Sequence, residues 1–382
     1  MRYSDIKLVE SRVFLKEAAR IQHAEDIIFW EGSRGAMRAL EALKSMEQGS
    51  HKDVTLKWDG SPAIIFGRDE NGEFVLTDKS GFTAKGYDGR SKSPEELEQM
   101  FLNRSGGKNR EKPDYVAFAA NMKDIFNEYE RAVPKDFRGY FKGDLLYYNT
   151  PEKRDGNYVF KPNIVEYAVD VNSELGKRIG RSRTGVVIHR VIDETGAEHP
   201  LQNADIFQGT DVLVVPPVSV EHPAEVDNQE IVQLEKIIKE NSAGIDELLN
   251  TEALKQMKIS DFANVLYTYT NSKVDTGLEN LGADFAKWLE SKKQISDRKK
   301  STILEYVNQH RDAFNALWKT VTALMKVKDS IIKQFDSHDQ SVKSNIPGYG
   351  EGGEGYVLAH PEGDIKLVPR EFFTKANRAV QR

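Results

Sequence analysis

The chain has 382 residues, of which 39% are hydrophobic and 30% charged, enough for a sizeable core in two domains or in one domain with a large insertion. The absence of cysteine excludes disulfides, cysteine nucleophiles and thiolate metal sites, and fits a reducing cytoplasm. The net charge of -6 argues against coating of nucleic acid through bulk charge, although a local basic face would remain compatible with polynucleotide binding. No apolar run approaches the roughly 20 residues that cross a bilayer, so we expect no membrane partner.

Residues 1–10 form a short amphipathic lead that ends in Leu8-Val9-Glu10. One interpretation is the first turn of a helix that continues through residues 14–19. The other is a resemblance to the capsid-targeting peptides of internal head proteins in large tailed phages, which end in Leu-x-Glu. That resemblance implies a phage-encoded protein that is packaged with other head components after a prohead protease cuts behind Glu10. Residues 11–51 are expected to be helical, with apolar side chains at helical spacing over 32–47.

Residues 52–220 are dominated by β-strand signals. Runs of β-branched and aromatic residues, separated by Gly, Asn, Asp and Pro, predict strands over 73–77, 140–148, 164–169 and 185–191. Helical patterns interrupt them at 94–103 and 114–131. The character then changes, and helices are predicted over 245–258, 260–270, 278–293 and 297–335. Strands return at 356–360 and 364–368, after a glycine-rich segment.

Basic residues gather in the helical region. The cluster consists of Lys292, Lys293, Arg298, Lys299 and Lys300. A charge run of this kind is typical of a solvated helix face. In the alternative interpretation these side chains follow a phosphate backbone, and the helical region binds nucleic acid.

A lysine stands at a glycine-containing turn between two strand-like runs. Lys57 follows the run 53–56, and Asp59-Gly60 lead into the run 63–67. An amine at a strand end can act as a nucleophile when burial or neighbouring cations favour its neutral form. The other interpretation is a solvated hairpin residue.

The order of four short motifs resembles that of the covalent nucleotidyltransferases, the family of polynucleotide ligases and mRNA capping enzymes. Lys57-Trp58-Asp59-Gly60 resembles motif I, Phe141-Lys142-Gly143-Asp144 motif III, Glu354-Gly355-Tyr356-Val357-Leu358 motif IV and Ile365-Lys366-Leu367-Val368 motif V. Motif IV is close to the form found in RNA ligases. Lys79-Ser80-Gly81 is similar to motif Ia, and either 166–169 or 186–188 is similar to motif IIIa.

The resemblance implies an enzyme that adenylates its own lysine. Lys57 would attack the α-phosphate of ATP, release pyrophosphate and pass AMP to the 5′-phosphate end of RNA or DNA. Lys366 would neutralise the α-phosphate, and Lys79 would contact ribose or a substrate phosphate. Asp144 and Glu354 would bind ribose or Mg²⁺, which prefers oxygen ligands and nucleotide phosphates. The nucleotide site implied in this way contains Lys57, Asp59, Gly60, Lys79, Asp144, Glu354 and Lys366.

The resemblance also implies a fold class: α+β, a ligase-type nucleotidyltransferase with ATP-grasp-like antiparallel sheets, a large all-α insertion and no C-terminal OB domain. Its core would comprise 52–220 and 345–382, and the insertion 221–344. The family usually has glutamate where this chain has Asp144, and a second lysine where it has Val368. Only 16 residues follow Lys366, which leaves no room for an OB-fold.

Two other functions stay open at this point. One is an adenylyltransferase that acts on an acceptor other than a nick. The other is a non-catalytic virion protein that binds DNA and keeps a ligase-like fold. The expected location is the host cytoplasm or the virion head.

Overall fold

The computed structural model describes residues 22–199, 201, 204–274, 277–338 and 341–380. The expected lead peptide, its cleavage site behind Glu10 and the pattern over 14–19 lie outside these residues. The chain forms two compact units, and each is described by itself. Unit 1 comprises the chain up to Lys57 together with Val218–Asp339 and Glu354–Arg382; unit 2 comprises Trp58–Pro217 and Gln340–Gly353.

Helices make up most of unit 1 and part of unit 2. In chain order, the α-helices of the described residues are α1 Ile28–Ser45, α2 Lys79–Phe82, α3 Pro94–Asn103, α4 Pro113–Ala132, α5 Glu174–Ile179, α6 Asn228–Leu248, α7 Thr251–Gln256, α8 Phe262–Ser272, α9 Phe285–Glu290, α10 Asp297–Gln309, α11 Arg311–Ser337 and α12 Arg370–Val380. Short 3-10 turns cover Ala24–Asp26, Ser50–Asp53, Arg104–Glu111 and Ala204–Ile206. None of the described helices is both long and apolar enough to cross a membrane.

Three helical predictions need correction. The pattern over 297–335 forms two helices, because the chain leaves helical geometry at His310 (φ -112°, ψ 35°), whose Nδ1 lies 3.0 Å from the carbonyl oxygen of Tyr306. The pattern over 245–258 is also divided. The side chain of Asn250 accepts a hydrogen bond from the backbone N–H of Ala253 at 2.9 Å and starts a new helix. In the range 278–293, only Phe285–Glu290 is α-helical.

The strands form three sheets within the described residues. In chain order, they are β1 Gln22–His23, β2 Val54–Leu56, β3 Ala63–Arg68, β4 Phe74–Asp78, β5 Gly139–Tyr147, β6 Glu152–Arg154, β7 Asn157–Phe160, β8 Glu166–Asp170, β9 Thr184–Ile192, β10 Glu198–His199, β11 Val212–Val214, β12 Val342–Ile346, β13 Gly350–Glu351, β14 Tyr356–Leu358 and β15 Ile365–Leu367. The chain is therefore mixed α and β, as the sequence predicts at this coarse level.

Unit 2 contains two of the sheets. One has the order β10-β9-β5-β3-β4, with β11 paired to β9, and the other has the order β13-β12-β8-β7-β6. Alternation along β3 and β5 turns Ile64, Phe66, Phe141 and Leu145 towards a core that α3 and α4 complete. Asp144 lies on the opposite face of β5, where it is half-buried.

Unit 1 contains the third sheet, with the order β1-β15-β14-β2. The first and last residues of β2, β14 and β15 are buried, and the middle residue of each is half-buried. On the buried face, the ring of Tyr356 lies 5.3 Å from that of Phe335 in α11, and its hydroxyl donates to Asp336 at 2.8 Å. The opposite face of the sheet carries the polar side chains of Thr55 and Lys366, with Val357 between them.

Candidate active site

Lys57 directly follows β2, as the sequence predicts. Its backbone N–H donates to the carbonyl of Gly355 at 2.9 Å and extends the pairing of β2 with β14. On the other edge of β2, the N–H of Leu56 donates to Val218 at 2.8 Å. Because side chains alternate along a strand, Lys57 projects from the same face as Thr55. Its side chain is only 20% exposed, which does not fit a solvated hairpin lysine.

Glu354 provides the carboxylate that pairs with the Lys57 ammonium. The backbone of the next residue explains why the motif needs glycine there. Gly355 has φ 111°, and a Cβ atom at this position would lie 2.2 Å from the carbonyl oxygen of Leu367 in β15. Glycine thus allows β14 to begin close to β15 and holds Glu354 beside Lys57.

Lys366 is the middle residue of β15. Its Cα pairs with that of Val357 in β14, and Val357 pairs in turn with Thr55 in β2. Lys366 therefore lies on the face that carries Lys57. Burial and the charge of Lys57 lower the pKa of Lys366, whereas Glu354 acts in the opposite direction. The structure thus brings together the key residues of motifs I, IV and V.

His23 is a neighbour of this site that sequence reasoning missed. It lies on β1 and pairs in parallel register with Lys366. Burial, together with the charges of Arg370, Lys328, Lys366 and Lys57, lowers the pKa of His23 well below its ordinary value. Its Nδ1 is buried and has no hydrogen-bond partner in the described chain. The imidazole is consequently neutral near pH 7.

Four buried charges lie behind His23. Lys328 of α11 donates to both carboxylate oxygens of Glu25 at 2.9 and 3.0 Å, and Arg370 of α12 donates to both oxygens of Asp26 at 2.8 and 2.7 Å. Arg370 also contacts Glu25 at 3.3 Å. All four side chains are at most 2% exposed, and we call them the buried ion network. It fixes the 3-10 turn after β1 to two helices.

This network constrains what Arg370 can do. The resemblance places Val368 where the family has the second lysine of motif V, and Arg370 is the basic residue two positions further on. In the structure its guanidinium is engaged by two carboxylates of the network and by the side-chain oxygen of Asn271 at 3.0 Å. Arg370 is therefore a positioning residue for the end of β15.

Asp59 and Gly60 belong to unit 2. The Asp59 carboxylate accepts hydrogen bonds from the side chain of Asn163 at 2.9 Å and from the backbone N–H groups of Ile164 and Val165 at 2.9 and 3.1 Å. Asp59 thereby holds the segment that leads into β8. A Cβ atom at Gly60 would lie 2.5 Å from that of Asp144, so the close approach of these segments requires glycine.

Asp144 and Lys79 also belong to unit 2, whereas Lys57, Glu354 and Lys366 belong to unit 1. The Asp144 carboxylate lies 2.9 Å from Nε2 of His189 on the neighbouring strand β9. Lys79 is exposed at the start of α2. Asp144 and Lys79 therefore do not lie in the same unit as Lys57 and Lys366.

The five basic residues expected to bind nucleic acid divide into three groups. Lys299 and Lys300 each pair with a carboxylate, at 2.7 and 3.2 Å. The Lys292 ammonium lies 4.7 Å from the centre of a tryptophan ring. Lys293 and Arg298 are exposed. The cluster thus presents less available charge than the sequence alone indicates.

The residues of unit 1 fit part of a nucleotide–magnesium site. In the described residues, no group of three or more His, Asp or Glu could hold a metal ion by itself. Magnesium that binds with a nucleotide takes most of its ligands from phosphates and water, with one or two carboxylates from the protein. Glu354, beside two lysines, matches that limited contribution.

A family model matches residues 19–88 and 109–382 of the chain and is described as a family of unknown function, DUF6267. The chain belongs to this family. Comparison with the curated proteins and with the solved structures finds no match. The family description assigns no activity, so a function has to be argued from the chemistry of Lys57, Glu354 and Lys366.

Proposed function

We propose that this DUF6267 protein is an ATP-dependent nucleotidyltransferase of the ligase-type fold, which forms a lysyl-AMP intermediate on Lys57 and joins RNA or DNA ends. One observation carries the proposal. Lys57, Glu354 and Lys366 come from distant parts of the chain and meet on one face of one sheet.

The first half-reaction uses the Lys57–Glu354 pair. In that pair Lys57 is an ammonium, so one proton must leave Nζ before the amine can attack. Glu354 is in contact with Nζ and is the group placed to accept it. Nζ then forms a bond to the α-phosphorus of ATP, the bond to the bridging oxygen breaks, and pyrophosphate leaves with the electron pair. The nitrogen loses a second proton to solvent and becomes the phosphoramidate nitrogen.

Lys366 stabilises the charge that develops on the α-phosphate. Its ammonium is half-buried, and a charge in a partly desolvated site acts more strongly on a phosphate than it would in water. Magnesium, held by Glu354 and the ATP phosphates, would supply further charge neutralisation. In the second half-reaction a 5′-phosphate oxygen attacks the same phosphorus, the P–N bond breaks, and the Lys57 nitrogen takes up a proton and leaves as the amine. A 3′-hydroxyl then attacks the 5′-phosphate, and AMP leaves as the ends are joined.

The test is incubation with α-labelled ATP and magnesium, followed by denaturing electrophoresis. We expect acid-labile, alkali-stable label on the wild type and none on Lys57→Ala. Lys52→Ala is the matched control, because Lys52 is an exposed lysine just before β2 and should leave labelling unchanged. A folded wild type that takes no label, and that mass spectrometry shows is not already adenylated, would refute the proposal.

A chase step tests transfer and strand joining separately from labelling. Labelled protein is mixed with 5′-phosphorylated RNA or DNA, and we expect the label to move to the 5′-phosphate and, where a 3′-hydroxyl end is supplied, to be released as AMP while the strand lengthens. Label that stays on the protein with both substrates would contradict strand joining, and would point to an acceptor other than a polynucleotide end. Repeating the first step with GTP tests the choice of nucleotide.

A further inference from the structure

Unit 1 contains a groove of about 810 Å³ among α6, α9, α10 and α11. Phe314 and Trp318 of α11 form part of its floor and are almost completely buried. One wall is the turn that precedes α9. Tyr269 holds this turn, because its hydroxyl accepts from the N–H of Gly282 at 3.0 Å and donates to Asp284 at 2.7 Å. The groove is therefore built on packed elements of the unit.

Polar side chains of α11 line the groove in a single row. Arg311, Asn315, Lys319, Thr322 and Lys326 follow one another at intervals of three or four residues, which places them on one face of the helix. Together they present three cations and two neutral hydrogen-bonding groups along the helix axis.

Two of these cations have their charge available. Arg311 and Lys319 are exposed, and among the described residues no carboxylate oxygen lies within 4.0 Å of either. Lys326, by contrast, pairs with Glu230. Among the described residues that line the groove, Glu279 is the one that is acidic. The groove thus concentrates positive charge in a chain whose net charge is -6.

The spacing of the two cations selects the kind of anion. Eight residues separate Arg311 from Lys319, which corresponds to about 12 Å at the helical rise of roughly 1.5 Å per residue. A single phosphate cannot contact both. A polynucleotide carries one phosphate per nucleotide, so a strand that runs along the helix can place separate phosphates at the two cations.

We propose that this groove binds the sugar-phosphate backbone of a single-stranded polynucleotide. Arg311 and Lys319 each contact a phosphate, Asn315 donates a hydrogen bond to the backbone between them, and Thr322 donates one to the backbone beyond Lys319. The choice of partner rests on the proposed function, because a strand-joining enzyme has to hold a strand. The contacts are to phosphates and carry no sequence preference.

The test measures binding by fluorescence anisotropy, with labelled oligo-dT and oligo-U of about 20 nucleotides at several salt concentrations. We expect Arg311→Ala/Lys319→Ala to weaken binding of both probes by on the order of 25-fold at 0.1 M salt, since each single-strand contact contributes a salt exponent of about 0.7. The slope of log K against log salt should fall in magnitude by about 1.4. The control, Lys44→Ala/Lys255→Ala, removes the same charge from exposed residues of unit 1 outside the groove and should bind as the wild type does.

Three outcomes would overturn the proposal. The groove variant could bind like the wild type, or the control could lose as much affinity as the groove variant. Poly-glutamate could also compete as well as unlabelled oligonucleotide, which would indicate a site for acidic peptides. Binding is measured without ATP, so its result is independent of Lys57 labelling. Loss of binding in the groove variant, combined with no labelling of the wild type, would support the groove and refute the nucleotidyltransferase.

Discussion

Lys328→Met is the substitution that tests the buried ion network most directly. Methionine has a similar length but no charge, so Glu25 would remain completely buried, with Arg370 at 3.3 Å as the cation still in contact. Removal of one partner from a buried ion pair costs about 3–5 kcal/mol, because the other charge loses its closest compensation. Since both side chains are 0% exposed, screening by solvent does not reduce this figure.

The assay is urea unfolding, followed by tryptophan fluorescence and circular dichroism. We expect Lys328→Met to lower the free energy of unfolding by about 3–5 kcal/mol, and Glu25→Gln/Lys328→Met to recover about 2 kcal/mol of that loss, because the two charges are coupled. Lys333→Met is the control: Lys333 is an exposed lysine of the same helix, and its substitution should change stability by less than about 0.5 kcal/mol.

The network also predicts how the free energy of unfolding depends on pH in the acid range. Burial would raise the pKa of Glu25, but Lys328 and Arg370 outweigh it and lower that pKa below its ordinary value of 4.5. A carboxylate with a lowered pKa contributes stability above its unfolded pKa, and this contribution is lost as the pH falls through the folded pKa. Burial raises the pKa of Asp26, which contributes with the opposite sign, so the contribution of Glu25 is obtained from a comparison. The wild type should lose stability below about pH 4.5 more steeply than the double variant does.

Two results would refute this reasoning. If Lys328→Met costs no more than Lys333→Met, Glu25 has access to water or another partner. If the double variant loses as much free energy of unfolding as Glu25→Gln and Lys328→Met added together, Glu25 and Lys328 are not coupled.

Three further predictions concern the site and the N-terminus. Because the pKa of Lys366 is lowered, its charge is lost at a lower pH than that of an ordinary lysine. Lys366→Arg should therefore extend ATP labelling to more alkaline pH. An unchanged pH profile of the labelling rate would contradict a role for this charge. Gly355→Ala should abolish labelling and lower the melting temperature more than Gly348→Ala. Both glycines have positive φ, but only a Cβ atom at residue 355 would clash with the backbone of β15. Equal effects of the two substitutions would exclude this clash as the cause. If the protein is packaged in a phage head, as the resemblance of residues 1–10 implies, mass spectrometry of virions should find a mature chain that starts at Ser11, and an intact Met1 would count against processing.

The position of Lys57 illustrates what the sequence could predict. The alternation around β2 and the glycine turn behind it depend on neighbouring residues, so a local pattern is sufficient. The meeting of Lys57 with Glu354 and Lys366 is different. It depends on the pairing of β2, β14 and β15 across a long stretch of chain, and only the order of the motifs indicated it.

His23 and its neighbours show where prediction from the sequence ends. β1 has only two residues, too few for any periodicity, and it is defined by parallel pairing with β15. Lys328 did leave a signal. It occupies a core position of α11, between Leu324 and Ile331 at helical spacing, and a lysine at such a position requires a buried acidic partner. The partner itself could not be identified, because the pattern of one helix contains no information about distant residues.

The length of α11 connects the two proposals made for unit 1. Its 27 residues span about 40 Å, with Arg311 and Lys319 in its first turns, and Lys328 and Asp336 further along, where the helix meets the ion network and β14. A bound strand that displaces α11 would also shift the contacts of this helix with the ion network and with β14, and would so change the surroundings of Lys57. Thermodynamic linkage then requires reciprocity: if adenylation changes the affinity for the strand by some factor, the strand changes the adenylation equilibrium by the same factor. A single coupling constant, measured either from strand binding or from adenylation, would describe how each event depends on the other.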